Sequence, residues 1–192
     1  LIILFQPELR SFLQMIGRRQ GGFSFINNIF NSRGSSQTNL QPIITACAEM
    51  SATKTGALIV LAQQSDLDDI IEGGIKIDAK LSVALIENIF FKNAPLHDGA
   101  AVVKDNRVVA AKCILPVTQS PVPKSYGTRH RAAIGITETS DAVVVVVSEE
   151  TGGISVAFRG QIERNIAPQN LQQTISKHLI GSTNDKRSRR KE

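Results

Sequence analysis

The chain has 192 residues, is 42% hydrophobic and 20% charged, and carries a formal net charge of +5. These values suit one globular domain with a substantial core and some residues left for tails. They exclude several classes. No run of eighteen apolar residues is present to span a bilayer, and no signal peptide is visible. Two cysteines, Cys47 and Cys113, are too few and too far apart for a disulfide framework or a zinc site, and in their apolar surroundings they read as buried free thiols of a reducing compartment.

The positive charge sits at the ends. Residues 1–34 hold four arginines against Glu8, and residues 183–192 hold five basic residues against Asp185 and Glu192, so the body between them is close to neutral. A nucleic-acid groove would put its lysines and arginines on the body, and with no tryptophan and one tyrosine, Tyr126, a base-stacking platform is not expected. The expectation is no nucleic-acid partner, with 181–192 a solvated basic tail.

Taken in chain order, Leu1-Ile2-Ile3-Leu4-Phe5 opens the sequence without an initiator methionine. Ahead of Arg10, Arg18 and Arg19, this apolar stub reads either as the cytoplasmic exit of an upstream transmembrane helix or as part of an ordinary amphipathic helix. Pro7 and Glu8 suit a first helical turn, Leu9, Phe12, Leu13 and Ile16 follow at helical spacing, and Gly21-Gly22 ends the helix. Residues 31–39 read as a polar linker. This divides the chain into a juxtamembrane helix and linker (1–39), a folded domain (40–180) and the tail (181–192).

Within the domain the pattern alternates. Residues 40–53 predict a helix, 56–62 a buried strand, 67–72 a short helix ended by Gly73-Gly74, and 80–91 a helix through Leu81, Leu85, Ile89 and Phe90. Ala100–Lys104 and Arg107–Cys113 predict a hairpin turning at Asp105-Asn106. Residues 116–127 form a Pro- and Ser-rich loop, and 128–137 a helix capped by Thr128. Asp141–Ser148, with five consecutive valines, predicts a central strand buried on both faces. Strands over 153–159 and 161–165 flank Gly160, and Pro168 opens a last helix to about Leu179. The fold class is α/β, a central mixed sheet flanked by helices. Neither a Walker phosphate loop nor a Gly-x-Gly-x-x-Gly motif is present, so the common nucleotide folds are not supported.

Three polar segments interrupt the apolar elements. His97-Asp98-Gly99-Ala100 places an acid at the mouth of a buried strand, followed by two small residues that let a ligand reach the backbone, a pattern suited to an acid near a metal and a nucleotide. By itself it reads first as an Asp-Gly turn that merely starts a strand. Gly127-Thr128-Arg129-His130-Arg131 opens a helix with cations where the helix dipole is already positive, which is unfavourable unless an anion is bound. Phosphate binding is the favoured reading. Ser148-Glu149-Glu150-Thr151-Gly152-Gly153 puts two carboxylates after the valine strand. They suit a divalent cation, and alone they read as a tight turn with exposed acids. Together the three segments supply acids, a phosphate grip and close backbone approach, which is what metal-assisted phosphoryl or nucleotidyl transfer needs.

Asp98-Gly99-Ala100 and Arg129-His130-Arg131 resemble the two signature motifs of the diadenylate cyclase domain, and Ser148–Gly153 is similar to the same family. The likeness runs from about residue 40 to 165, and Phe5-Gln6-Pro7-Glu8-Leu9-Arg10 resembles the juxtamembrane segment of its membrane-anchored branch. The resemblance implies the diadenylate cyclase domain fold and the condensation of two ATP molecules into cyclic di-AMP and two pyrophosphates. It implies a face-to-face homodimer and a requirement for Mn²⁺ or Mg²⁺. Asp98 would activate the attacking 3′-hydroxyl, with Arg129, His130 and Arg131 as its catalytic partners. Gly99, Ala100, Leu115, Gly127, Thr128, Ser148 and Glu149 would line the nucleotide, Leu115 at the adenine. Asp98, Glu150 and His97 would hold the metal. Ile114 stands where some members carry an aromatic residue. The resemblance also implies a cell-membrane location for the full-length protein, with this domain facing the cytoplasm, and it admits a regulatory protein partner.

Three other readings compete. A catalytically silent nucleotide-binding regulator of the same fold would have no need of Asp98 and the two arginines. A His-Asp metal phosphohydrolase needs several histidines, and only His97, His130 and His178 exist. A nucleic-acid binder driven by the basic ends would lose its salt-sensitive binding on deletion of 183–192.

Overall fold

A computed structural model describes residues 38–123 and 125–188. The expected amino-terminal helix, most of the polar linker and the last four residues of the tail lie outside the described residues. The compact unit begins at Thr38. Its elements are α1 (Gln41–Ala52), β1 (Ala57–Leu61), α2 (Asp68–Glu72), β2 (Ile75–Lys80), α3 (Val83–Phe90), β3 (Ala100–Lys104), β4 (Arg107–Cys113), α4 (Thr128–Thr139), β5 (Val143–Val147), β6 (Ile154–Phe158), β7 (Gln161–Glu163) and α5 (Pro168–Ser188).

The strands form one seven-stranded sheet in the order β2-β4-β3-β1-β5-β6-β7. The β1–β3 pair is parallel and every other pair is antiparallel, so the sheet is mixed. Side chains alternate between faces along each strand. Ala57, Ile59 and Leu61 of β1, with Val143, Val145 and Val147 of β5, join Ile43 and Met50 of α1, Ile89 and Phe90 of α3, and Leu171 and Ile175 of α5 in one buried cluster. Leu58 and Val60, with Val144 and Val146, join Ala133 and Ile136 of α4 on the other face, where Ile70 and Ile71 of α2 also pack. The five valines are wholly buried because both faces are covered.

The expected hairpin between β3 and β4 forms. Asp105 and Asn106 both take positive φ (50° and 62°), as a two-residue turn matched to strand twist requires. Three local expectations are corrected. The helix expected over 80–91 does not begin at Lys80, which instead closes the strand β2 (Ile75–Lys80). Ile75, Ile77 and Ala79 alternate with Lys76, Asp78 and Lys80, but on a half-solvated edge strand with a register shift at 76–79 the period is short and interrupted. The following helix therefore starts at Val83, capped by Ser82, whose hydroxyl accepts from the Leu85 N–H at 3.3 Å. Thr128 is the first residue of α4 rather than its cap. The cap is Gly127, with no side-chain cap bond. The last helix continues past Leu179 to Ser188, since this stretch lacks proline and a single glycine, Gly181, costs a helix only about 1 kcal/mol.

Gly135 shows what fixes α4 to the loop before it. A Cβ there would lie 2.2 Å from the Pro116 carbonyl oxygen and 2.7 Å from the Thr118 nitrogen. The helix can approach the 116–118 backbone only because position 135 has no side chain, and the Thr118 N–H then donates to the Arg131 carbonyl at 3.1 Å. Helix propensity alone favours Gly135→Ala by about 1 kcal/mol, but the contact is with backbone, which cannot swing aside. The variant should be destabilised by about 1–3 kcal/mol, measured by denaturant unfolding. A stabilised variant would show that the contact is loose.

Candidate functional site

The strand directions gather the three polar segments. Ala57 of β1 lies opposite Val147 of β5, Ala100 of β3 opposite Cys113 of β4, and Val147 opposite Ile154 of β6. The starts of β1, β3 and β6 and the ends of β4 and β5 therefore share one edge of the sheet. Asp98-Gly99 enters β3 there, Ile114-Leu115 leaves β4 there, and Ser148–Gly153 joins β5 to β6 there. The first turn of α4 reaches the same edge, where Arg129 Nη1 donates to Glu149 Oε2 at 2.7 Å.

Each segment is held by local chemistry. Gly99 has φ +126°, a region disfavoured for L side chains, and a Cβ on it would stand 2.9 Å from the Cys113 carbonyl oxygen. The Asp98 turn thus folds over the end of β4. Asp98 is exposed and His97 half-buried, with His97 Nδ1 2.5 Å from the Ala94 carbonyl oxygen. Leu115 is buried, while Ile114 is 82% exposed beside it.

In the 148–153 turn, the Ser148 hydroxyl accepts from the Thr151 N–H at 3.3 Å and the Ser148 N–H donates to the Gly153 carbonyl at 3.0 Å. Ser51 of α1 clamps the turn from behind, its hydroxyl donating to the Gly152 carbonyl at 2.6 Å. Glu149 and Glu150 are exposed.

At the start of α4 the three charged residues diverge. Arg131 is exposed, Arg129 half-buried and His130 buried. Arg129 crosses the start of β1 where Gly56 leaves room, since a Cβ there would be 2.6 Å from its Nη1. His130 points into the fold, its Nε2 3.4 Å from the Ser155 hydroxyl of β6, and its ring lies 5.7 Å from that of Tyr126. Burial pushes the His130 pKa below the ordinary imidazole value. Arg164 pushes the same way and Glu150 opposes.

Sequence reasoning missed Gly56, Gly135, Ser155, Tyr126 and Arg164. A glycine inside a predicted helix was a visible signal for Gly135, whereas the others matter only through tertiary contacts.

The donor chemistry narrows the metal question. Among the described residues no cluster of three His, Cys, Asp or Glu side chains forms a ready cage. Burial raises the thiol pKa values to about 12 for Cys47 and about 11 for Cys113, so both stay protonated. What remains are exposed carboxylates on one sheet edge, a set that fits a hard cation taking its other ligands from substrate phosphates and water.

The chain also resembles known proteins. Residues 44–162 match the family described as DAC, DisA bacterial checkpoint controller nucleotide-binding. The cyclic di-AMP synthase CdaA of Bacillus subtilis is 40% identical over 99% of this chain and 69% of its own length. A diadenylate cyclase of Listeria monocytogenes is 42% identical over 98% of this chain and 68% of its own length. Among solved structures, a double cysteine mutant of DacA from Staphylococcus aureus is 44% identical with a TM-score of 0.71, over 72% of this chain and 93% of that one. A hypothetical membrane spanning protein of Bacillus cereus is 38% identical with a TM-score of 0.66, over 87% and 80%. Among the described residues no helix is long and apolar enough to cross a membrane.

The His130 environment has a measurable consequence. Its folded-state pKa is lowered, so on acidification the unfolded chain takes up the proton first. The stability it contributes is present above the ordinary imidazole value of 6.5 and is lost as pH falls from there through the lowered folded value. Denaturant midpoints should drop as pH falls through the ordinary imidazole value of 6.5 and below it, and His130→Gln should shrink that drop. An equal drop in the variant would place the effect elsewhere.

By the match over residues 44–162 and by relatives about 40% identical along nearly its whole length, the chain belongs to the diadenylate cyclase (DAC) domain family.

Proposed function

We propose that this protein condenses two ATP molecules into cyclic di-AMP, releasing two pyrophosphates, at a metal-dependent site completed when two copies meet face to face. The observation that carries the reading is the convergence on one sheet edge of the Asp98 turn, the Arg129–Glu149 pair and the 148–153 turn, in a chain whose relatives are named diadenylate cyclases.

Each copy holds one ATP. Gly99 and Ala100 leave room for the nucleotide against the backbone, and Leu115 gives the adenine an apolar wall. Ile114, exposed and aliphatic, can add contact area but no ring stacking. Gly127 and Thr128 offer backbone N–H groups at the start of α4, and Arg129 and Arg131 bring two guanidinium groups to the phosphates. The Ser148 hydroxyl faces the same edge. Buried neutral His130 serves from beneath, fixing the helix start.

The 3′-hydroxyl of one ATP attacks the α-phosphorus of the other. A new O–P bond forms, the bond to pyrophosphate breaks, and the hydroxyl proton passes to Asp98. The same step in the opposite sense closes the ring. Asp98, Glu150 and His97 would hold Mn²⁺ or Mg²⁺, which when bound neutralises phosphate charge. Glu149 contributes by holding Arg129 until phosphate arrives. A single copy brings one nucleotide, and cyclisation needs two held in opposition, so two copies are required. In the full-length protein the domain would sit on the cytoplasmic side of the cell membrane, as a membrane-anchored member of the family.

Incubation with ATP and Mn²⁺, with products identified by chromatography and mass, should yield cyclic di-AMP and pyrophosphate. ATP binding without turnover at any enzyme concentration would favour the silent regulator instead. Asp98→Asn should lower synthesis by at least about 100-fold, the usual scale for loss of a positioned proton acceptor, while ATP binding persists in part. Full activity in that variant removes the role assigned to Asp98. Rate should rise faster than linearly with enzyme concentration where the dimer is weak. Strict linearity together with a monomer in solution would remove the two-copy site.

A further inference from the structure

Arg164 stands outside the three motifs, yet it is tied to one of them. It follows β7, whose register with β6 sets Glu163 opposite Val156, so the chain continues past Ser155, the neighbour of His130. Its guanidinium carbon lies 4.8 Å from the centre of the Tyr126 ring, and Nη1 donates to the Ser125 hydroxyl at 3.5 Å. The Tyr126 ring in turn tilts against His130 at 5.7 Å. A residue that follows the edge strand β7 thus holds the two residues that lead into Gly127 and the first turn of α4.

The arrangement is not what stability alone would select. Arg164 Nε is buried with no hydrogen-bond partner among the described residues, and an unmade buried donor is unfavourable. A Met or Leu would cover the Tyr126 ring without it. A planar guanidinium does what they cannot, because it stacks on the ring and grips Ser125 together, fixing a direction as well as covering a surface.

We propose that Arg164 is a positioning residue for phosphate binding. Through Tyr126 and Ser125 it sets the entry of residues 125–127 into α4, and so aims the first-turn N–H groups and Arg129. It touches no substrate. The inference rests on the reading above that this helix start holds ATP phosphates.

The test is steady-state cyclic di-AMP synthesis by the full chain carrying Arg164→Met, Tyr126→Leu or both. Arg164→Met should raise the ATP KM about tenfold, the scale of a misaimed binding group, with kcat and Tm little changed. Tyr126→Leu should move KM the same way. The double variant should be no worse than the worse single, because both changes remove one contact. Arg164→Lys, which keeps the charge without the planar face, should restore only part of the loss and also serves if the Met variant does not fold.

A second readout does not need turnover. Tyr126 is the chain's single tyrosine and there is no tryptophan, so tyrosine emission reports this site alone. Inorganic pyrophosphate, which does not absorb in that range, should change the emission of the wild type and do so at about tenfold higher concentration in Arg164→Met, a shift of the same size as that in KM. Additive KM effects, an unchanged KM and emission response in Arg164→Met, or a fall in kcat that merely tracks Tm would each overturn the proposal. A wild type that makes no cyclic di-AMP would instead bring down the functional reading, leaving the pyrophosphate titration to judge Arg164.

Discussion

Everything at the candidate site depends on how β1 is paired. It runs parallel to β3 on one side and antiparallel to β5 on the other. A parallel pair brings two strand beginnings together, and an antiparallel pair brings a beginning to an end. With β1 in the middle, the start of β3, the start of β1 and the end of β5 must share an edge. If β1 and β3 were antiparallel, Asp98 would lie across the sheet from Glu149, and no loop adjustment could reunite them. The burial of β1 and β5 on both faces makes this register costly to shift, since a one-residue slip would send every side chain to the opposite face.

On that rigid edge the charged groups are held loosely. The Arg129–Glu149 pair joins a half-buried guanidinium to a largely exposed carboxylate, and such pairs contribute about 0–1 kcal/mol. That is small beside what a phosphate can offer the same guanidinium, through charge-assisted bonds and the positive end of α4. The pair therefore keeps Arg129 extended across Gly56 while remaining open to exchange. The neighbouring supports are of the opposite kind. Gly99 and Gly135 are in close contact with backbone, and His130 is sealed beneath the helix start. The scaffold is stiff where it sets directions and soft where an anion would enter.

How far this could be read from the sequence follows from the range of each signal. The buried strands β1 and β5 were legible because runs such as Ala57–Leu61 and Val143–Val147 leave no helical or amphipathic alternative, and the Asp105-Asn106 turn was legible because its residues tolerate positive φ. β2 was not, since Ile75–Lys80 is short, half-solvated and broken by a register shift. The end of α5 was not, because nothing in 180–188 forbids a helix and nothing before it demands one. The site segments announced themselves as polar interruptions between apolar elements. Their supports did not, because Gly56, Ser155 and Arg164 gain meaning only once strands distant in sequence are adjacent.

The position of His130 shows why motif and geometry must be weighed together. In the sequence it stands between two arginines and invites the same role. Around a helix, however, successive residues are about 100° apart, so three consecutive side chains cannot face one ligand. Here Arg129 turns along the sheet edge, Arg131 outward and His130 inward to Ser155. Burial keeps the inward ring neutral, so it adds no charge to a helix end that already carries two guanidinium groups. A protonated ring there would strengthen anion attraction but would need a buried counter-charge, and Glu150, the acid whose charge acts on it, lies in the exposed turn. The fold thus separates the motif into two cations that can meet phosphate and one neutral ring that holds them in place.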